Sequence, residues 1–195
     1  MKNKTLGVIA CVLVSGAVLS NMALADTASA VVDQKAQFTQ EARQKVKAFG
    51  MQLKGTLKHE MKANGPVSAV KVCNTQAPAI AKAVSDDGWQ VSRTALKVRN
   101  SENQPEPWEK TVLERFETQI SEGADPKTLE YSAEVDGEFR YMKAIPTGGV
   151  CLACHGSEIN PELKQHIQAF YPHDQATGFS VGDLRGAFSL SKPLK

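Results

Sequence analysis

Cys151-Leu152-Ala153-Cys154-His155 is the segment of this chain whose residue types and spacing could do chemistry. Cys-x-x-Cys-His is the attachment signature of c-type haem. Two thiols add across the two vinyl groups of a porphyrin as thioethers, and the two-residue gap lets both sulfurs reach one edge of the ring. The next residue, His155, is then held beneath the iron, where an imidazole nitrogen serves as proximal ligand. Gly148-Gly149 and Gly156 flank the motif and lack the Cβ that would obstruct close backbone approach. Cys-x-x-Cys alone is also the pattern of a redox dithiol or of half a zinc site. A zinc site needs two more ligands, and the chain has no second cysteine pair; a dithiol has no use for the histidine. The expected cofactor is therefore one haem c, on Cys151, Cys154 and His155.

The sixth iron position has several candidates: Cys73, His59, His166, His173, Met51, Met61 and Met142. Of the four cysteines, Cys11 falls in the leader described below and two belong to the motif. Cys73 is left over in a compartment that oxidises thiols. It is a ligand, a small buried hydrophobe on a helix face or a site of intermolecular pairing, and spacing alone does not choose. The methionines recur at helical spacing and read as core. Arg93, Lys97, Arg99, Arg140 and Lys143 could pair with haem propionates, or form a solvated strand face.

The first residues place the motif. Met1 to Lys4 is a short positive stretch, Leu6 to Leu19 is apolar, and Ala23-Leu24-Ala25 is a small-x-small cleavage site. These are the parts of a secretory signal peptide, so residues 1–25 are expected to be removed and 26–195 to form a single domain. Val8-Ile9-Ala10-Cys11 loosely matches a lipoprotein site, but almost no apolar run precedes it. The expected location is the periplasm, without stable membrane insertion, because no other segment is long and apolar enough to span. Without Lys2 and Lys4 the charge is even, 21 basic against 21 acidic residues. That excludes the positive surplus on which nucleic-acid binding depends.

The elements that must position these groups follow from periodicity. Phe38, Ala42, Val46, Phe49, Leu53, Leu57 and Met61 predict one long amphipathic helix from near Val31 to Lys62. Asn64-Gly65-Pro66 ends it, and Pro66 can open a second helix whose face carries Val70, Cys73, Ala77 and Ile80. Pro78 removes a backbone donor there, which predicts a kink or break just after Cys73, capped by Asn74 or Thr75. Trp89 to Arg99 reads as extended and Asn100 to Pro107 as an ordered loop. Trp108 to Ser121 returns to helical spacing. Leu129 to Val135, Asp136-Gly137 and Phe139 to Ile145 form a hairpin. A helix over 160–170 and a last strand over 187–191 complete an α+β domain, with helices on one side of a small antiparallel sheet.

The chain resembles a family of c-type haem domains with a PAS-like sensor fold, formerly a domain of unknown function. The resemblance runs through Val72-Cys73-Asn74 and Ala77-Pro78, Trp89-Gln90-Val91-Ser92-Arg93-Thr94, Arg99-Asn100, Asn103, Pro105, Trp108-Glu109 and Cys151 to Gly156. It continues through Tyr171-Pro172, Asp174-Gln175-Ala176-Thr177-Gly178 and Gly182-Asp183-Leu184-Arg185-Gly186. It implies a thiolate ligand from Cys73 opposite His155, and a PAS-like antiparallel sheet with a long N-terminal helix and flanking helices, often dimeric. It also implies a free-standing exported form. The function then expected is periplasmic redox or small-ligand sensing, with a redox partner protein or a small gaseous ligand. The alternative is a simple electron carrier. An enzyme such as a peroxidase would need a distal acid–base group, and no constellation supports one.

Overall fold

The computed structural model describes the backbone of residues 19–194 and the side chains of residues 34–194. Residues 1–18 of the expected leader lie outside the described residues. The chain divides into two units, Met1–Ala36 and Gln37–Lys195. In the first the backbone is helical from Leu19; everything below concerns the second. Among the described residues no helix is long and apolar enough to cross a membrane.

The first helix, α1, spans Leu19–Lys71 and is interrupted at Gly65, whose φ of 82° leaves the helical region. That is the expected break before Pro66, placed where glycine alone is unstrained. The helix starts earlier than periodicity predicts because the alanine-rich run before Val31 favours helix without showing an apolar stripe. A single π-turn, Val72–Gln76, joins it to α2, Ala77–Val84. Four strands follow in the chain: β1 Gln90–Thr94, β2 Glu130–Val135, β3 Glu138–Pro146 and β4 Leu184–Pro193. Three helices are interspersed: α3 Pro107–Ser121, α4 Leu152–His155 and α5 Pro161–Phe170.

The sheet is antiparallel throughout, in the order β1-β4-β3-β2. The hairpin forms as expected, with Asp136 and Gly137 at φ 54° and 76°, the conformation a two-residue turn of this type demands. β4 is longer than the predicted 187–191 because it is an inner strand, paired on both sides. The α+β class holds, with one correction: the sheet is covered on both faces. Phe139, Tyr141 and Leu190 pack against Phe38, Ala42, Phe49 and Leu53 of α1. Met142, Ala144 and Ala187 project from the other face onto Val112, Leu113 and Phe116 of α3. The strand period of two separates these sets. A third cluster joins Val70 to Leu163, Ile167 and Tyr171, seating α5 beside the Cys154 turn.

Candidate haem-binding site

Gly149–Cys151 forms a 3₁₀ turn that runs directly into the single turn of α4. Three-residue spacing on one turn brings Cys151 and Cys154 to the same side. The Gly148 N–H donates to Cys151 Sγ at 3.3 Å. Of the flanking glycines, Gly156 is the crowded one: a Cβ there would stand 2.7 Å from the Leu152 carbonyl oxygen, whereas one at Gly149 would meet nothing within 4 Å. Both thiols are free of disulfides, and burial pushes the Cys154 thiol up.

His155 donates its Nδ1–H to the Ala176 carbonyl at 2.7 Å. That bond fixes the tautomer and leaves Nε2 with its lone pair, the arrangement of a metal-ligating imidazole. Burial, reinforced by the charges of Arg185 and Arg99, pushes the His155 pKa down to about 2. The ring is therefore neutral, as a ligand must be. The segment after α5 is anchored to the same turn, with Phe179 N–H donating to the His155 carbonyl at 3.0 Å and Gly178 N–H to Gly156 at 3.1 Å.

Cys73 sits on the π-turn. The kink expected after it is a widening rather than a break, and neither Asn74 nor Thr75 caps a restart. The Ala77 N–H reaches back to the Val72 carbonyl. Pro78 cannot donate to Asn74 and its ring would strike that carbonyl in a regular helix. One extra residue in the turn relieves both problems, and such bulges are frequent at functional sites. The half-buried Cys73 then faces a cavity that Cys151, Cys154 and His155 also line.

That cavity has a volume of about 190 Å³ and opens to solvent. Leu53, Leu57 and Val70 make one wall apolar, while Arg93, Arg99 and Arg185 enter it. Arg99 pairs with Asp174 at 3.0 Å, and its Nε has no partner. Among the described residues, neither Arg93 nor Arg185 has a carboxylate within ion-pair distance. Arg93 lies over the Phe49 ring and Arg185 over Phe179. Burial pulls the Arg185 pKa down to about 10. Half-buried cations without counter-charges are costly, and an apolar ring carrying two carboxylates matches both the wall and the arginines. The donor set thus fits a porphyrin, with His155 and Cys73 lining the same cavity as candidate iron donors.

The other candidates separate. Met61 lines the cavity, but Met51 is 61% exposed and Met142 is buried under α3. His59 and His173 are exposed, and neither they nor His166 line the cavity. Arg140 stacks on Trp108 and pairs with Glu138. Lys143 faces Glu130. Lys97 is exposed, bonded to the Thr177 carbonyl. Of the proposed propionate partners, only Arg93 and Arg99 reach the cavity. Arg185 was not among the expected propionate partners, although it lies in the Gly182–Gly186 segment that carries the resemblance; it adjoins Gly186, at a φ of 150° against β1.

A family model named Tll0287-like matches residues 21–193. The chain belongs to the Tll0287-like family. The crystal structure of the cyanobacterial heme-protein Tll0287 superimposes with a TM-score of 0.59 at 27% identity, covering 83% of this chain and 95% of that one. No curated protein matches. The match to the Tll0287-like family spans the π-turn with Cys73, the three cavity arginines and the Cys151–His155 motif, so the whole site lies inside it.

Proposed function

We propose that this protein binds one c-type haem in the periplasm and acts in redox or small-ligand sensing. Cys151 and Cys154 would hold the porphyrin through thioethers, and His155 Nε2 and Cys73 would supply the ligands to its iron. The observation that carries this reading is His155, neutral and with Nδ1 committed to Ala176, in one cavity with three free cysteines. The relation to a heme-protein supports it. Bound haem would supply a ferric–ferrous couple. The chain's own part is to orient His155 through Ala176, present a thiol from the π-turn, counter the propionates with Arg93 and Arg185, and exclude water with the apolar wall.

Export through the 1–25 leader would deliver the motif to the compartment where thioethers are made. No catalytic role is proposed: among the described residues, no histidine besides His155 lines the cavity. The test is mass spectrometry of protein matured in a bacterial periplasm. A denatured chain heavier by one haem, with the leader gone, is the expected result. An unmodified mass with both motif thiols reactive would end the haem reading.

A further inference from the structure

We infer that Arg99 and Asp174 are positioning residues that set how strongly His155 donates to iron, acting through the carbonyl of Ala176; the inference rests on the haem reading above. The Ala176 carbonyl receives two donors. His155 Nδ1–H approaches at 2.7 Å and Arg99 Nη2 at 3.2 Å. The same Nη2 lies 2.5 Å from the Cys154 carbonyl and 3.0 Å from Asp174 Oδ2. Asp174 Oδ1 in turn accepts the Ala176 N–H at 2.8 Å. The Arg99 and Asp174 side chains are each only 8% exposed. A buried ion pair thus grips both the attachment turn and the peptide that orients the proximal histidine.

The consequence follows from competition and charge. The two N–H groups of Nη2 serve three oxygens. A carbonyl shared with a guanidinium has less density for the His155 N–H. A weaker bond at Nδ1 makes Nε2 a poorer donor, because the partner of a ligating histidine sets its basicity. The guanidinium charge also disfavours the ferric state, which carries one more positive charge than the ferrous. Both effects of Arg99 raise the reduction potential, opposing the fall that a Cys73 thiolate produces. Asp174 acts with the opposite sign through its charge.

The experiment is spectroelectrochemical titration of the haem-loaded full chain, with ferric paramagnetic resonance spectra to verify that the ligands are unchanged. Arg99→Gln should lower the midpoint potential and Asp174→Asn should raise it. The Arg99→Gln/Asp174→Asn double variant should fall between them and below wild type, since the charges cancel and only the lost competition at Ala176 remains. Arg99→Lys should recover at least half of the fall seen with glutamine. A merely structural role would move both single variants in one direction, through loosening of the site. That outcome, or an unshifted Arg99→Gln, overturns the inference. If Asp174→Asn yields no haem protein, the lysine comparison decides, and failure of Arg99→Lys to recover the potential overturns it as well. A wild-type chain without covalent haem would instead remove the reading beneath it.

Discussion

Two sulfurs outside the attachment turn line the cavity, those of Cys73 and Met61. They differ in charge and softness: a thiolate pushes electron density onto iron and a thioether does not. Cys73→Ser should therefore shift the ferric absorption and paramagnetic resonance spectra, while haem stays covalently bound through Cys151 and Cys154. Met61→Leu should leave both spectra in place; the reverse result would make Met61 the ligand. His155→Ala should lose the proximal ligand and reduce the yield of haem-bearing chain on a haem-stained gel. These residues were unequally legible in sequence. Attachment chemistry dictates the spacing of Cys151, Cys154 and His155, so the motif announces itself. Residue spacing showed Cys73 only as an odd cysteine, and the ligand role came from the family resemblance, because the cavity it shares with His155 is made by folding. Arg185 lay in a segment of the resemblance, but residue type alone does not mark it as a propionate partner ahead of Arg140 or Lys143. Which basic residues reach the cavity is decided by strand register, with Lys143 opposite Glu130 on β2 and Arg185 beside the bend at Gly186.

Two contacts between elements govern how firmly α1 and β1 frame the cavity. Arg43 on α1 is bonded to Glu130 on β2, which also accepts the fully buried Tyr141 hydroxyl at 2.8 Å. The Arg43 hydrogen bond, then that from Tyr141, holds the Glu130 carboxyl below its ordinary 4.5, against the effect of burial. A depressed carboxylate stabilises the fold above its unfolded pKa and loses that contribution as pH falls through the folded one. Glu130→Gln should cost about 1–2 kcal/mol at neutral pH, the difference between a charged and a neutral hydrogen bond at a partly exposed group. In urea melts the gap to wild type should hold above pH 4.5 and close below it. At the other edge, a Cβ on Gly186 would stand 2.4 Å from the Thr94 carbonyl oxygen. Gly186→Ala should destabilise by about 1–3 kcal/mol, the cost of overpacking, read as a lower denaturation midpoint. Element types were legible: the α1 stripe and the Asp136-Gly137 turn each rest on local chemistry. The two-sided sheet was not. Met142 and Ala144 alternate with Tyr141 and Lys143, and alternation does not say whether the second face meets water or a helix such as α3.

At the scale of the whole molecule, sensing and electron carriage differ in whether the Cys73 side can open. A second cavity, about 680 Å³, lies along β1 and α2 and shares Cys73, Arg93, Asn100 and Asn103 with the first. Cys73 is thus a wall between two spaces, carried on a π-turn with one residue more than a regular helix needs. If Cys73 ligates as proposed, reduction would remove one positive charge from the iron and weaken its attraction for an anionic sulfur. A thiolate released there would have Arg93 beside it, a half-buried cation with no carboxylate of the chain paired to it among the described residues. On the sensing reading proposed above, Cys73 would exchange for the added ligand. Dithionite-reduced protein under carbon monoxide should show a shifted Soret band, and Cys73→Ser should reach the same spectrum at lower gas pressure, because no internal ligand competes. Arg93→Gln should act in the opposite direction and require more gas, since the freed thiolate has lost its counter-charge. A reduced spectrum indifferent to carbon monoxide, together with fast reversible exchange at an electrode, would mean that Cys73 stays bound in both oxidation states. The protein would then be a carrier, with the second cavity playing no part in its chemistry.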